Sequence, residues 1–455
     1  MDDRARPDIG RLPAIDLLRG FAIAWVVLFH LWGDLEFFPG VPRVYYEQLT
    51  DQVRDGNGPW RVFTAFGELF FRDGFQGVPL FMMISGISLT IAACRAGDAV
   101  HWPRFLLQRF RKLLVPYWAG VAITYGVIAL IAWRQVAVGG GAFSDHFTGG
   151  VTISRASIIN IDRDVVIASI ALVPRLLDAK WFFAPQLALW FVGLLAQYYL
   201  LFPLLFVAMR RVGVLPFLLT TFAVTVATNV WIVDRYGAPE FQFWLVTGWA
   251  PFRLFEFTFG MAVGWLLVSP ERDRLLAPLR NPIGIVALVA LGLALHTSGD
   301  LLIGRWTARY WQALALPLVT LGLGLMVLPL LAKRPSRVEA LAPLRAFATI
   351  GVMSYALLIV NDPMRLVASQ LRLENVSDIY WWTFLVGVYV PASVALAWPL
   401  AHLLGLMPRR TPAPPAVEWP PARERRRGAR GRAGLAPGDW PGDCPPIDPV
   451  LEFRP

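Results

Sequence analysis

Charge is scarce in this chain. Only 16% of its 455 residues are Asp, Glu, Lys or Arg, against about 25% in a typical soluble protein. Cysteine is scarcer still. Cys94 ends an apolar stretch and Cys444 lies in a proline-rich tail, so neither a disulfide framework nor a thiolate metal site is expected. The five histidines are scattered, without HExxH or comparable ligand spacing, so no metal is expected. A cleavable leader is not expected either, because the first apolar run is long, starts among acids and has no small-residue cleavage site after it. No internal repeat is visible, which disfavours transporters built from inverted repeats.

What the chain has in abundance is apolar sequence. Hydrophobic residues make up 56%, with 19 Trp and 30 Phe, the composition of a membrane protein with aromatic interfacial belts. Segments long enough to cross a bilayer fall at 12–32, 77–95, 113–136, 187–209, 213–234, 247–268, 281–297, 310–332, 343–361 and 382–407. A further apolar stretch at 164–177 reads as a re-entrant or surface helix. The expected fold is all-α: a polytopic transmembrane bundle of about ten helices over residues 1–407, followed by a disordered tail over 408–455 too rich in Pro and Gly to pack a core. The net charge of +10 resides in short loops and in the tail, which points to anionic lipid headgroups and not to nucleic acid. Basic residues follow the second, fourth, sixth, eighth and tenth segments, and Arg4, Arg6 and Arg11 precede the first. That bias places both termini in the cytoplasm and the long loops 33–76 and 137–186 outside.

Polar groups inside such segments carry the functional signal. In the first, RLPAIDLLRGFAIAWVVLFHLW, Arg19 and His30 are eleven residues apart, a rotation of about 20° from register, so they share a helix face. Asp16 lies one turn before Arg19. A carboxylate, a guanidinium and an imidazole on one stripe mark a functional interior in lipid, unless Asp16 and Arg19 merely anchor the helix and His30 is a packing contact. In the second segment, Ser85-Gly86 suits either a helix-packing notch or a substrate-side position. Arg253 and Glu256 are three apart and read as a structural ion pair. Asn361 and Asp362 precede Pro363, which is expected to break its helix. The cluster Arg109, Arg111 and Lys112 reads as a stop-transfer signal, the commoner origin of such a run, or as a dock for a phosphate-bearing donor.

Six elements in order resemble the membrane-bound acyltransferase-3 family: IDLLRGFAIAWVVLFH, with Asp-x-x-Arg-Gly and the Arg-x10-His pair at Arg19 and His30; GVPLFMMISGISL; RFRKLLVPYW; WFVGLLAQYYLLFPLL; FRLFEFTFGMAVG; and IGVMSYALLIVNDP. The chain departs from the family pattern at Leu195, where a glutamate is common, at Leu358 in place of tyrosine and at Asn361 in place of histidine. A scheme needing a second histidine is therefore in doubt here. The resemblance implies a stand-alone enzyme of a bacterial inner membrane that moves an acyl group, acetyl foremost, from cytoplasmic acyl-CoA to a hydroxyl of a cell-envelope or exported saccharide or lipid-linked glycan. No bound cofactor is implied.

The residues fit that chemistry. A sugar hydroxyl is a poor nucleophile near neutral pH, and His30 is the group in the first helix able to take its proton. The expected catalytic set is His30, Arg19 and Asp16, and the expected donor-binding set is Arg109, Arg111, Lys112 and Ser85. The rival from another class is a transporter or flippase that uses the Asp16, Arg19 and His30 stripe as a polar relay.

Overall fold

The computed structural model describes residues 13–36, 69–96, 100–148, 151–154, 157–159, 163–172, 189–236, 248–270, 272–304, 310–332, 342–370 and 383–407, with a few single positions between them. In chain order the main helices are α1 (Pro13–Glu36), α2 (Gly77–Ala96), α3 (Trp102–Gly139), α4 (Arg163–Ala171), α5 (Trp190–Val212), α6 (Val214–Tyr236), α7 (Leu254–Val268), α8 (Pro282–Gly304), α9 (Ala315–Ala332), α10 (Ala342–Val352), α11 (Ser354–Gln370) and α12 (Val390–Leu403), with two short helical turns at Phe143–Thr148 and Arg272–Leu275. A small antiparallel hairpin, β1 (Val151–Ser154) with β2 (Ser157–Ile159), precedes α4. Among the described residues nine helices are long and apolar enough to cross a membrane, or ten if α10 and α11 count as one bent span. The fold is thus the expected all-α polytopic bundle. The tail after residue 407, most of the loop 33–76 and part of the loop 137–186 lie outside the described residues.

Apolar side chains face lipid and core alike in such a bundle, so the helices are sorted by how closely their backbones approach. Gly260 and Gly264 of α7 lie flat on α2, and a Cβ on either would run into the main chain of Met83 or Ile87. Gly86 of α2 meets the Phe257 carbonyl in return, so the Ser85-Gly86 pair is a packing notch at its glycine. A second close crossing joins α1 to α10: a Cβ on Gly20 would overlap the Phe347 carbonyl, and one on Gly351 the Asp16 carbonyl.

One expectation, the helix break at Pro363, needs correction. The ninth segment is not one straight helix. It breaks at Met353, and α10 and α11 are bent by 78°. Gly351 and Ser354 flank the break, as small residues commonly do at kinks. Pro363, expected to end the helix, lies inside α11. A proline is tolerated within a membrane helix where neighbouring helices re-satisfy the freed backbone groups. Among the described residues, the apolar stretch near 164–177 carries the nine-residue α4. It is held beside α3 by hydrogen bonds from the Tyr117 hydroxyl to the Ser169 carbonyl and from Trp118 Nε1 to the Ile170 carbonyl at 3.1 Å.

Candidate functional site

His30 lies on the same face of α1 as Val27, one turn before it, and Ile23, two turns before it, both in a core shared with α11 and α12. Its Nδ1 is 3.4 Å from Nη1 of Arg365 on α11. A guanidinium only donates, so Nδ1 accepts and the imidazole in this contact is neutral, with its hydrogen on Nε2. The same Nη1 donates to Oδ1 of Asp362 at 3.0 Å. Asp362 and Arg365 are three residues apart, one helical turn, and both are buried. A buried guanidinium and carboxylate must be paired to be tolerated, and here the pair presents its cation to the histidine. Asn361, on the same turn, is buried as well, and the Tyr389 hydroxyl lies 2.9 Å from its Oδ1 and 2.7 Å from its main-chain carbonyl.

The other end of α1 has a different character. Asp16 Oδ1 stands 3.6 Å from Arg19 Nη1, and Arg19 Nη2 donates to Ser88 Oγ of α2 at 2.9 Å. The Tyr199 phenol of α5 lies within electrostatic range of both Arg19 and Arg109, and its ring packs edge-on against Phe110. Arg109 sits over the Phe105 ring at 5.1 Å. The Tyr355 hydroxyl closes this corner by donating to the Leu113 carbonyl at 2.6 Å. Four helices, α1, α2, α3 and α5, thus converge on one polar corner, with α11 against it. It lies about 16 Å along α1 from His30.

The structure pairs Asp16 with Arg19, sets Arg19 and Arg109 about the Tyr199 phenol, and holds Asp16 and Arg19 apart from His30. Arg111 and Lys112 are exposed on α3. Lys112, one turn on from Arg109, feels its charge, whereas Arg111 lies on another face of the helix. Ser85 is half-buried, and the hydroxyl that meets Arg19 is Ser88, one turn further along α2. Arg365, Ser88 and Tyr199 were missed by sequence reasoning. The Asp362-x-x-Arg365 spacing inside an apolar helix was an available signal for the first.

Two further polar clusters are built on other helices. Arg253 donates through Nε to both Glu256 oxygens, at 2.9 and 3.1 Å, beneath the Trp190 ring at 5.4 Å. This is the structural pair expected from its spacing. The second cluster was not anticipated. Asp300 of α8 accepts from Arg72 at 2.5 Å and from Gln76 at 2.9 Å, and His296, one turn earlier, is hydrogen-bonded to Gln76. It fastens the turn Asp73–Gln76, whose Gly74 sits on the Trp25 carbonyl and the Phe29 side chain of α1.

A polar stripe on the first helix, an arginine corner at one end and a histidine backed by a buried ion pair at the other occur within one matched region. A family model described as an acyltransferase domain, of the acyltransferase-3 type, covers residues 12–402. The chain belongs to the membrane-bound acyltransferase-3 family. No curated protein and no solved structure matches the chain significantly. The matched region runs from the start of α1 to the end of α12, so the His30 cluster and the Arg19 corner both belong to the acyltransferase domain. Among the described residues no group of three His, Cys, Asp or Glu is placed to hold a metal ion.

Proposed function

We propose that this protein is an O-acyltransferase of a bacterial inner membrane that takes an acyl group, acetyl foremost, from cytoplasmic acyl-CoA and transfers it to a hydroxyl of a cell-envelope or exported saccharide. Both termini face the cytoplasm in this reading. The donor's phosphates meet Arg19 and Arg109, with Asp16 steadying Arg19 and Lys112, Arg111 and Ser85 lining the approach. The extended pantetheine arm carries the thioester toward His30. The observation that carries the reading is the His30–Arg365–Asp362 contact, set one donor arm's length from a paired-arginine corner.

The chemistry follows from that contact. An acceptor hydroxyl that enters between Arg365 and His30 gives its hydrogen to Nδ1 while Arg365 donates to its oxygen. The oxygen attacks the thioester carbonyl carbon. Collapse of the tetrahedral adduct breaks the C–S bond, and the departing thiolate takes the proton back from Nδ1. Asp362 keeps the guanidinium compensated throughout, so the imidazolium forms beside a neutral pair.

The deciding experiment is an assay of the purified protein in proteoliposomes with radiolabelled acetyl-CoA and candidate saccharides. Donor consumption that requires His30 supports the reading. No donor consumption, together with saccharide or small-molecule flux across the bilayer, moves the protein to the transporters. Label retained on the protein without acceptor would make His30 a nucleophile and not a base.

A further inference from the structure

Every residue of α2 from Pro79 to Cys94 is buried except Phe81, Ser85, Ser88 and Ala92. Their spacing of four, three and four puts them on one face of the helix. The opposite face carries Met83, Gly86 and Ile87 against α7. To one side of the stripe, Met82 and Leu89 belong to the core shared with α5; to the other, Leu80, Ile84 and Ile91 belong to the core shared with α1. The accessible stripe therefore points between α1 and α5, into the bundle and not out to lipid.

Five contacts close a circle of helices around that space: Arg19 of α1 on Ser88 of α2, Phe81 of α2 on Phe191 of α5, Tyr199 of α5 on Phe110 of α3, the Leu113 carbonyl of α3 on Tyr355 of α11, and Arg365 of α11 on His30 of α1. Phe191, Tyr199 and Tyr355 are partly exposed like the α2 stripe, and the Arg19 side chain is 34% exposed. Protein interiors are close-packed, so accessible surface on side chains walled in by helices marks a channel.

Two helices put the Phe81–Phe191 contact at one depth in it. Phe81 is seven residues from Ser88 and Phe191 eight from Tyr199, so the pair stands about 10–12 Å from the Arg19 corner. Its ring centroids are 5.7 Å apart. His30 lies about 16 Å from Arg19 along α1, beyond the pair. Both phenylalanines pack on the core that holds Ile23 and Val27, and Leu195 follows Phe191 on the same face of α5. The polar ends of the channel are thus joined through an aromatic, apolar neck.

We propose that Phe81 and Phe191 select the acyl group by its width, admitting short unbranched groups and refusing branched or aromatic ones. The proposal rests on the reading of the Arg19 corner as the donor site and of His30 as the base. The donor's arm is an unbranched chain with the acyl group at its leading end, and that group must pass the neck before the thioester carbonyl reaches His30. Acetyl is no wider than the arm behind it. A branch next to the carbonyl, as in isobutyryl, or the ring of benzoyl meets the two phenyl groups first.

The test compares acetyl-, isobutyryl- and benzoyl-CoA on the full-length protein in proteoliposomes, with thiol release as the readout. The variants are Phe81→Ala, Phe81→Leu, Phe191→Ala and, as a control on the exposed face of α5, Leu204→Ala, each checked for a monodisperse peak in detergent. Wild type is expected to prefer acetyl over isobutyryl by roughly tenfold or more in kcat/KM, the discrimination that an apolar site obtains from one or two extra carbons. Phe81→Ala and Phe191→Ala should raise the isobutyryl-to-acetyl ratio roughly tenfold. Phe81→Leu, which keeps more of the packing, should raise it less, and Leu204→Ala should leave it unchanged. A merely structural role would lower all three donors together, so an unmoved ratio in the folded Phe81 and Phe191 variants overturns the proposal. A wild-type protein that uses isobutyryl- or benzoyl-CoA as well as acetyl-CoA overturns it too. In both outcomes acetyl-CoA is still consumed and the acyltransferase reading stands. A wild-type protein that consumes none of the three donors rejects that reading, and the neck with it.

Discussion

Arg365 places Nη1 3.4 Å from Nδ1 of His30 across 335 residues of chain. The histidine's hydrogen-bond partner among the described residues is therefore not Asp16 but a cation whose countercharge, Asp362, lies one turn back on α11.

Asp362 and Arg365 are expected to be mutually dependent. Asp362→Asn or Arg365→Gln alone leaves a buried charge uncompensated, which typically costs about 3–5 kcal/mol. Thermal unfolding in detergent should show a large loss for each single variant. The double change Asp362→Leu with Arg365→Met should recover much of the stability while activity stays lost. Additive losses in the double variant would mean that the pair is not coupled.

His30→Ala should fold and insert normally but lose roughly 10²–10⁴-fold in turnover, the usual contribution of a general base. Acyl transfer from acetyl-CoA measured on equal amounts of membrane-inserted protein checks this, and near-normal turnover would remove His30 from the chemistry.

The proposed donor corner separates arginines that look alike in sequence. Arg19→Ala and Arg109→Ala are expected to weaken acyl-CoA binding by roughly tenfold or more, the size of a charge-assisted contact. Arg111→Ala should change it far less, because Arg111 points to another face of α3 and is exposed. Titration calorimetry with a non-transferable acyl-CoA analogue reads all three. Equal effects from Arg109 and Arg111 would indicate only diffuse attraction to a basic surface.

The α1–α10 crossing should tolerate no side chain. Gly351→Leu would force a side chain into the Asp16 carbonyl, and overpacking of this kind costs about 1–3 kcal/mol or more. Loss of the monodisperse detergent peak is the expected result. Gly126→Leu, whose Cβ meets nothing, serves as the tolerated control.

Topology is checked by reporter fusions. Sites after residues 210 and 270 should report cytoplasm and sites near 160 and 300 the opposite side, as the basic loops require. Reversed signals at two sites would invert the bundle and put the Arg19 corner away from cytoplasmic acyl-CoA.

The amino-acid sequence by itself settled what is periodic and local. Bilayer-length apolar runs follow from composition alone, and all ten expected spans have a counterpart among the helices. The shared face of Arg19 and His30, the Asp16–Arg19 pair and the Arg253–Glu256 pair follow from 3.6 residues per turn, because both partners ride on one rigid element. The tertiary structure decided which helix faces which. His30 meets Arg365, Arg19 meets Ser88 and not Ser85, and His296 reaches Gln76, all across separations that no helical period encodes. The break at Met353 in place of Pro363 belongs with these, since a proline's lost hydrogen bond is tolerated where other helices enclose it, while α10 turns away to seat Gly351 against Gly20. In lipid, apolar side chains gain little by choosing one neighbour over another, so contacts are selected by where glycine lets backbones touch and by which buried polar groups find each other. Both are properties of two helices at once, and neither is written along either one.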